Sequence, residues 1–77
     1  MSATKFIQAS EAKIGDKVLV SDRFAFYHGK AEAEGAFLPI VGINVYDHGN
    51  GNVVIGITLE GFPETCSRDR APLEVEA

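Results

Sequence analysis

Apolar and polar residues alternate along two neighbouring segments of the chain, residues 41–46 and 53–60. The apolar members all hold odd positions: Val41, Ile43, Val45, Val53, Ile55, Ile57 and Leu59. Between the segments lies the turn sequence Asp47-His48-Gly49-Asn50-Gly51-Asn52. Period-two alternation around a Gly/Asn turn predicts an antiparallel β-hairpin with one face on the core and one face toward solvent.

The parity of this hairpin predicts the length of its loop. Opposed residues share a face, so their numbers must have an even sum if both odd sets are to face the core together. An even sum requires an odd loop of three or five residues, with Gly49 or Gly51 in a left-handed conformation. A two-residue turn at Asn50-Gly51 is the alternative, and it would turn Val54, Gly56 and Thr58 inward.

Shorter segments of strand-like composition flank the hairpin. They span residues 6–9, 14–20, 24–28, 64–68 and 73–76. In the second segment Ile14, Val18 and Val20 share a parity, which predicts that all three face the core. Residues 29–37 combine an Ala/Glu run with flanking glycines, and we expect a long mobile loop with at most one helical turn. The sequence predicts an all-β domain: a small barrel of five to six short antiparallel strands.

This order of strands and turns, over roughly residues 13–76, resembles an SH3-like barrel. One enzyme family of this architecture and length is the plasmid-borne type II dihydrofolate reductases, which this chain resembles in Gly15-Asp16-Lys17-Val18 and Ile40-Val41-Gly42. The resemblance implies an active site at a tetramer pore, built around a Val-Gln-Ile-Tyr segment. This chain has Glu64-Thr65-Cys66-Ser67-Arg68 there instead, so the activity is not expected.

Composition and charge narrow the class of protein. The 77 residues make one domain, 1–77, with a formal net charge of −4. The charge is uneven: residues 1–30 have five cations and three carboxylates, and residues 31–77 have two cations and eight carboxylates. This acidity argues against binding driven by nucleic-acid phosphates. A single cysteine fits a reducing compartment, and no apolar stretch approaches the length of a membrane span, so we expect a cytoplasmic protein without membrane contact.

The sequence offers little for catalysis. His28 and His48 lie beside glycines in predicted loops, and their spacing from Asp22 or Asp47 does not indicate a metal site. Cys66 with a histidine would be the minimum for a thiol nucleophile, but a small buried apolar residue is the interpretation we favour. We expect no catalytic, cofactor or metal site.

The outward face of the hairpin is the candidate binding surface. It has the small or polar residues Gly42, Asn44, Gly56 and Thr58. In a register that sums to 98, Gly42 opposes Gly56, which allows another backbone or a ring to approach closely. Residue types enriched at binding hot spots complete the set: Arg23, Tyr27, Tyr46 and Phe62. The alternative is that the glycines allow the sheet to bend and the aromatic residues plug its ends.

The resulting hypothesis is a small non-enzymatic protein–protein interaction module, either with a partner protein or through self-association into a homo-oligomer. Size and acidity also suit a phage or mobile-element accessory factor that engages a host protein. The alternatives are a small barrel that binds nucleic acid and an oligomeric enzyme whose site is shared between subunits.

Overall fold

In the described part of the chain, the protein folds as six antiparallel strands in one open sheet, with one short α-helix and two 3-10 turns. The computed structural model describes residues 3–77. The strands run in the sheet order β1-β6-β2-β3-β4-β5, and the sheet does not close into a barrel. The elements are β1 (Thr4–Gln8), β2 (Lys17–Leu19), α1 (Asp22–Tyr27), β3 (Phe37–Asp47), β4 (Val53–Leu59), β5 (Thr65–Arg68) and β6 (Pro72–Glu76), with 3-10 turns at Ala9–Glu11 and Ala31–Ala33.

Strand β3 is bent by a β-bulge at Val41, and its two halves pair with different strands. Residues 37–39 pair with β2, whereas residues from Gly42 onward pair with β4. The register shifts between the Ile40–Leu59 pair and the Gly42–Thr58 pair, so Val41 has no partner. A bulge of one residue exchanges the two faces of the strand. Ile40 and Ile43, which are three residues apart, therefore both face the core, whereas Val41 is 54% exposed.

The prediction that all seven odd-numbered apolar residues of the hairpin face the core is wrong in part. Val41 and Val45 both lie in solvent, whereas Ile43, Ile55, Ile57 and Leu59 lie in or against the core as expected. Val45 lies beyond residues 37–39, the part of β3 that pairs with β2, and it is 65% exposed although its partner Ile55 is buried.

The loop of the hairpin has five residues, as the parity predicts. Val45 pairs with Ile55 and Asp47 with Val53, so the register sums to 100 and the loop runs over residues 48–52. The two glycines, Gly49 and Gly51, adopt φ of 82° and 76°, and Asn50 adopts 55°. A residue without Cβ adopts these dihedrals without steric cost.

The predicted strand at residues 24–28 is wrong, because this segment lies in helix α1. The Ser21 hydroxyl oxygen accepts a hydrogen bond from the Phe24 amide at 3.2 Å, which caps the first turn. At the other end, the Lys30 amide donates to the Ala25 carbonyl at 2.8 Å and the Gly29 amide to Phe26 at 3.0 Å. These two bonds form a Schellman motif, in which Gly29 takes a φ of 67°.

The long excursion is therefore larger than the predicted loop at 29–37. Two backbone hydrogen bonds join its ends. The Val20 amide donates to the Ala36 carbonyl, and the Gly35 amide donates to the Val20 carbonyl. The excursion contains α1 and the expected single helical turn at Ala31–Ala33, while Phe37 already belongs to β3.

The core lies between the two halves of the bent sheet and α1. Among residues 3–77, ten apolar residues are buried: Ala9, Val18, Val20, Ala25, Ile40, Ile55, Ile57, Leu59, Phe62 and Val75. The prediction that Ile14 joins Val18 and Val20 is wrong, since Ile14 is 62% exposed. It lies in a turn before β2, closed by a hydrogen bond from the Asp16 amide to Lys13, so the strand parity does not extend to it.

The bulge is tested by comparing the same substitution at two valines. We expect Val75→Thr to lower the free energy of unfolding by about 1–3 kcal/mol, because it buries a hydroxyl that has no hydrogen-bond partner. Val41→Thr should change it by less than about 0.5 kcal/mol, because that side chain is in solvent. Urea denaturation followed by circular dichroism measures both. Equal losses at the two positions would show that Val41 faces the core and that the bulge is absent.

Candidate functional site

Helix α1 presents two large aromatic side chains to solvent. Phe26 and Tyr27 are each 83% exposed, whereas Ala25 on the opposite side of the helix is buried at 1%. Arg23 is also exposed, and it lies one turn before them. Aromatic and arginine side chains are the residue types most enriched at the centres of protein interfaces.

An aromatic stack beneath the helix holds it in place. The centroid of the Phe24 ring lies 5.0 Å from the centroid of the Phe62 ring and 4.6 Å from that of the His28 ring. The His28 ring meets Phe62 edge-on at 5.5 Å and Tyr27 edge-on at 5.1 Å. Such pairs contribute roughly 0.5–1.5 kcal/mol each beyond the area that they bury.

Lys30 packs against the Phe62 ring of this stack. Its Nζ lies 4.7 Å from the centroid of the Phe62 ring and donates a hydrogen bond to the Gly61 carbonyl oxygen. A cation over a ring face is attracted by the negative face of the π system. The excursion is thus attached to the β4–β5 connection by side chains as well as by its own backbone.

A shallow groove runs between α1 and the start of β5. Its volume is about 420 Å³, and its lining is mostly apolar. Arg23 and Tyr27 line the helix side, and Glu64 and Thr65 line the strand side. We call this the helix groove. It has one cationic and one anionic group on opposite walls, so both charge and shape are available for recognition.

Glu64 connects the helix groove to the outward face of the hairpin. Its carboxylate accepts a hydrogen bond from Asn44 Nδ2 at 2.8 Å and one bifurcated bond from the Tyr46 hydroxyl, whose oxygen lies 3.0 and 3.1 Å from the two carboxylate oxygens. The side chain reaches across β4 at Gly56. A Cβ atom at Gly56 would lie 2.5 Å from Glu64 Oε2 and 2.9 Å from Tyr46 Cε2. Only glycine therefore leaves room for the Glu64 side chain in this position.

The Tyr46 phenol titrates above its ordinary range because of Glu64. The hydrogen bond to the carboxylate raises the pKa of Tyr46 above its ordinary value of 10.0, and desolvation and the negative charges of Glu64 and Cys66 act in the same direction. An anionic acceptor favours the protonated phenol, which is the form that can donate.

The structure brings together most of the residues singled out in the sequence. Arg23 and Tyr27 line the helix groove, and Phe62 lies beneath it in the stack. Asn44, Tyr46 and Gly56 surround Glu64. Phe62 is buried at 7% exposure, so it supports this surface from inside the fold.

Gly42 and Thr58 lie apart from the groove. The expected opposition of Gly42 to Gly56 is wrong, because Gly42 pairs with Thr58 and Asn44 pairs with Gly56. The difference follows from the five-residue loop, because with this loop the numbers of paired residues sum to 100 instead of 98. The close approach that the glycines predicted does occur at Gly56, where the chain's own Glu64 and Tyr46 fill the space.

The sequence pattern does not single out Glu64, Phe24 or Phe26 as functional residues. Glu64 directly precedes β5 and has the parity of Cys66, which pairs with Gly56. Its reach across that glycine depends on this pairing register, which the sequence pattern does not define. For Phe26 the apolar pattern predicts a strand. The Ser21-Asp22 pair, a frequent start of a helix, is the signal for α1.

The remaining candidate groups do not converge. Cys66 is exposed on β5, which corrects the expectation of a buried side chain. Within residues 3–77, no three His, Cys, Asp or Glu side chains are placed to hold a metal ion. Over the same residues, no helix is long and apolar enough to cross a membrane.

Comparison of the chain with protein-family models, with curated proteins and with solved structures finds no match.

The passage over Gly56 is tested by adding one methyl group. In a Tyr27→Phe background, Tyr46 is the one remaining tyrosine, and its ionisation is followed by ultraviolet absorbance. We expect Gly56→Ala to displace the Glu64 carboxylate and to lower the pKa of Tyr46 toward 10.0. Gly42→Ala is the matched control, since its Cβ would meet Thr58 at an ordinary 3.4 Å and should leave the titration unchanged. An unchanged titration in Gly56→Ala would contradict the assignment.

The same bond predicts how stability depends on alkaline pH. Because the pKa of Tyr46 is higher in the folded than in the unfolded chain, the folded state keeps the phenol proton to higher pH. The contribution of this bond is complete below pH 10.0 and is lost as the pH rises through the folded-state pKa. Tyr46→Phe should therefore show a shallower loss of unfolding free energy above about pH 10 than the wild type, measured by urea denaturation. Parallel curves for the two proteins would count against the bond.

Proposed function

We propose that the protein is a non-enzymatic protein-binding module that recognises its partner with helix α1 and the adjoining helix groove. The observation that carries this proposal is the exposure of Phe26 and Tyr27, at 83% each, on a helix that is capped at both ends. Exposing two neighbouring rings to water is unfavourable by about 25 cal/mol per Å² of apolar surface. A partner that covers them recovers that free energy.

Preorganisation supports the same conclusion. The rings sit on a helix with a Ser21 cap, a Schellman end and an aromatic stack beneath. Binding therefore requires little ordering of the backbone, which lowers the entropic cost of association. A rigid aromatic pair on a positioned helix is how many interfaces present their anchors.

The polar groups of the groove favour a protein partner over a nucleic acid. Arg23 on one wall is opposed by Glu64 on the other, and the whole chain has a charge of −4. Phosphate binding requires several clustered cations, whereas mixed charge at the rim of an apolar surface is typical of protein interfaces.

We also propose an SH3-like architecture in which the sheet stays open, and a cytoplasmic location. The order β6-β2-β3-β4-β5 supports the architecture, because the last strand returns beside β2, and β1 is then an addition to β6. The single, exposed cysteine supports a reducing compartment.

Photocrosslinking in a lysate of the native host tests the proposed surface. A benzophenone amino acid at position 27 should capture a defined protein partner. The same group at position 14, where the side chain is 62% exposed outside the groove, should not. A shift of the purified protein with RNA or DNA at low salt would instead favour the nucleic-acid hypothesis. Equal capture from both positions would remove the support for α1.

The captured partner then allows the energetics to be measured. We expect Tyr27→Ala to weaken its binding by at least about 2 kcal/mol, or roughly thirtyfold, in isothermal titration calorimetry. Ile14→Ala, the control, should change it by less than about 0.5 kcal/mol. If Tyr27→Ala binds as tightly as the wild type, the groove is not the interface.

A further inference from the structure

The distal half of β3, residues 42–47, has a partner strand on one side only. It pairs with β4, whereas β2 pairs only with residues 37–39. Within residues 3–77 no other strand lies beside this segment, which we call the β3 edge. An unpaired edge of this kind is a template for pairing with another strand.

The hydrogen bonds of β4 define which backbone groups of the β3 edge point outward. The Val53 carbonyl accepts a hydrogen bond from the Asp69 amide at 3.2 Å, so Val53 directs its backbone toward β5. Its partner Asp47 therefore directs its own backbone away from β4. Because the residues of an antiparallel strand alternate in this respect, the outward amide and carbonyl groups are those of Ile43, Val45 and Asp47.

Neighbouring hydrogen bonds stop short of these three outward residues. On the side of the bulge, the Gly15 amide donates to the Ile40 carbonyl at 3.0 Å. On the side of the loop, the His48 amide donates to the Asn52 carbonyl at 2.8 Å, within the hairpin itself. In the described part of the chain, no backbone group bonds to the outward side of residues 43–47.

The β3 edge lacks the features that keep exposed strands apart. Charged residues, prolines and bulges on edge strands prevent pairing with another chain. Strand β1 has Lys5 and strand β5 has Arg68, whereas residues 42–46 include neither a charge nor a proline. Pro39 and the bulge at Val41 both precede the segment. The edge is therefore open to an uncharged strand, and its own sequence is such a strand.

Val45 leaves apolar surface uncovered beside the outward backbone groups. Its side chain is 65% exposed, although its partner Ile55 is buried at 3%. A strand added at the β3 edge places a side chain directly opposite Val45 on the same face of the sheet. A valine in that place covers the exposed surface, and its branched side chain suits a pleated sheet.

The geometry points to a second copy of this chain as the occupant of the β3 edge: we propose that two copies pair antiparallel through this segment and form a two-fold symmetric dimer. The outward residues are centred on Val45, so one register uses all of them. In that register Val45 lies opposite Val45 of the second copy, and Ile43 lies opposite Asp47. A shift by two residues leaves one outward residue of each copy without an outward partner. A two-fold contact of this kind closes on itself.

The proposed register sets no like charges directly opposite one another. Asp47 is the one charged residue of the segment, and it lies opposite Ile43 of the second copy. The Glu64 carboxylate lies over Gly56 on β4, one strand away from the contact. No residue that lines the helix groove belongs to residues 42–47, so this contact is separate from the helix surface. The few paired residues bury little area, so we expect a weak dimer.

Charge reversal at the two-fold axis tests the dimer in sedimentation equilibrium. We expect the wild type to dimerise with a dissociation constant below about 1 mM. Val45→Lys and Val45→Glu each set two like charges opposite one another, so each should weaken the dimer by at least about fivefold. An equimolar mixture of the two variants should recover the dimer, because opposite charges then meet. Recovery also shows that both variants are folded.

Val41→Lys is the matched control. It adds the same charge to an exposed position of the same strand, outside the paired residues, and should not weaken the dimer. Equal weakening by Val41→Lys, or a mixture that does not recover the dimer, would overturn the proposal. A wild type that stays monomeric would overturn it too, and would leave the edge for a strand of another protein.

Amide hydrogen exchange gives an independent readout of the same contact. The amides of Asn44 and Tyr46 point toward β4 and should exchange slowly at every protein concentration. The amides of Ile43 and Val45 point outward, so they should exchange fast in dilute protein and more slowly as the concentration rises. Fast exchange of both outward amides at all concentrations would contradict pairing through the β3 edge, even if the chain dimerised through another surface.

Discussion

The bend of β3 at Val41 is the constraint on which the rest of this small fold depends. A straight strand of eleven residues would place one set of side chains on one face of a flat sheet. The bulge instead lets residues 37–39 pair with β2 while the following residues pair with β4. The two halves of the sheet can then face one another across ten buried apolar residues. A chain of this length has few other means of enclosing a core.

The bend also explains where surface is left over. Because the sheet curls without closing, β5 ends it as an open edge, and α1 covers part of the remaining opening through Ala25 and Phe24. A helix that buries only one narrow side leaves its other residues in water. The exposed rings and the helix groove are therefore consequences of how the opening is covered.

Much of this was accessible from the sequence, where the local pattern and the tertiary structure agree. The odd loop follows from the parity of the apolar residues, and the structure has five residues there. The same parity fails at Val41, because a bulge changes the face without changing the local composition. Phe24 and Tyr27 have the composition of a strand, but the Ser21 cap and Gly29 end favour a helix, and those short-range signals decide the outcome. The reach of Glu64 depends on the register of three strands, which no single segment defines.

The central claim is that α1 is a preorganised platform for its exposed rings, and backbone ¹⁵N relaxation tests it most directly. A preorganised helix requires order parameters of about 0.85 for residues 22–28, equal to those of β3 and β4. Values below about 0.6 across the helix would show that the caps and the aromatic stack do not hold it, and would contradict the account.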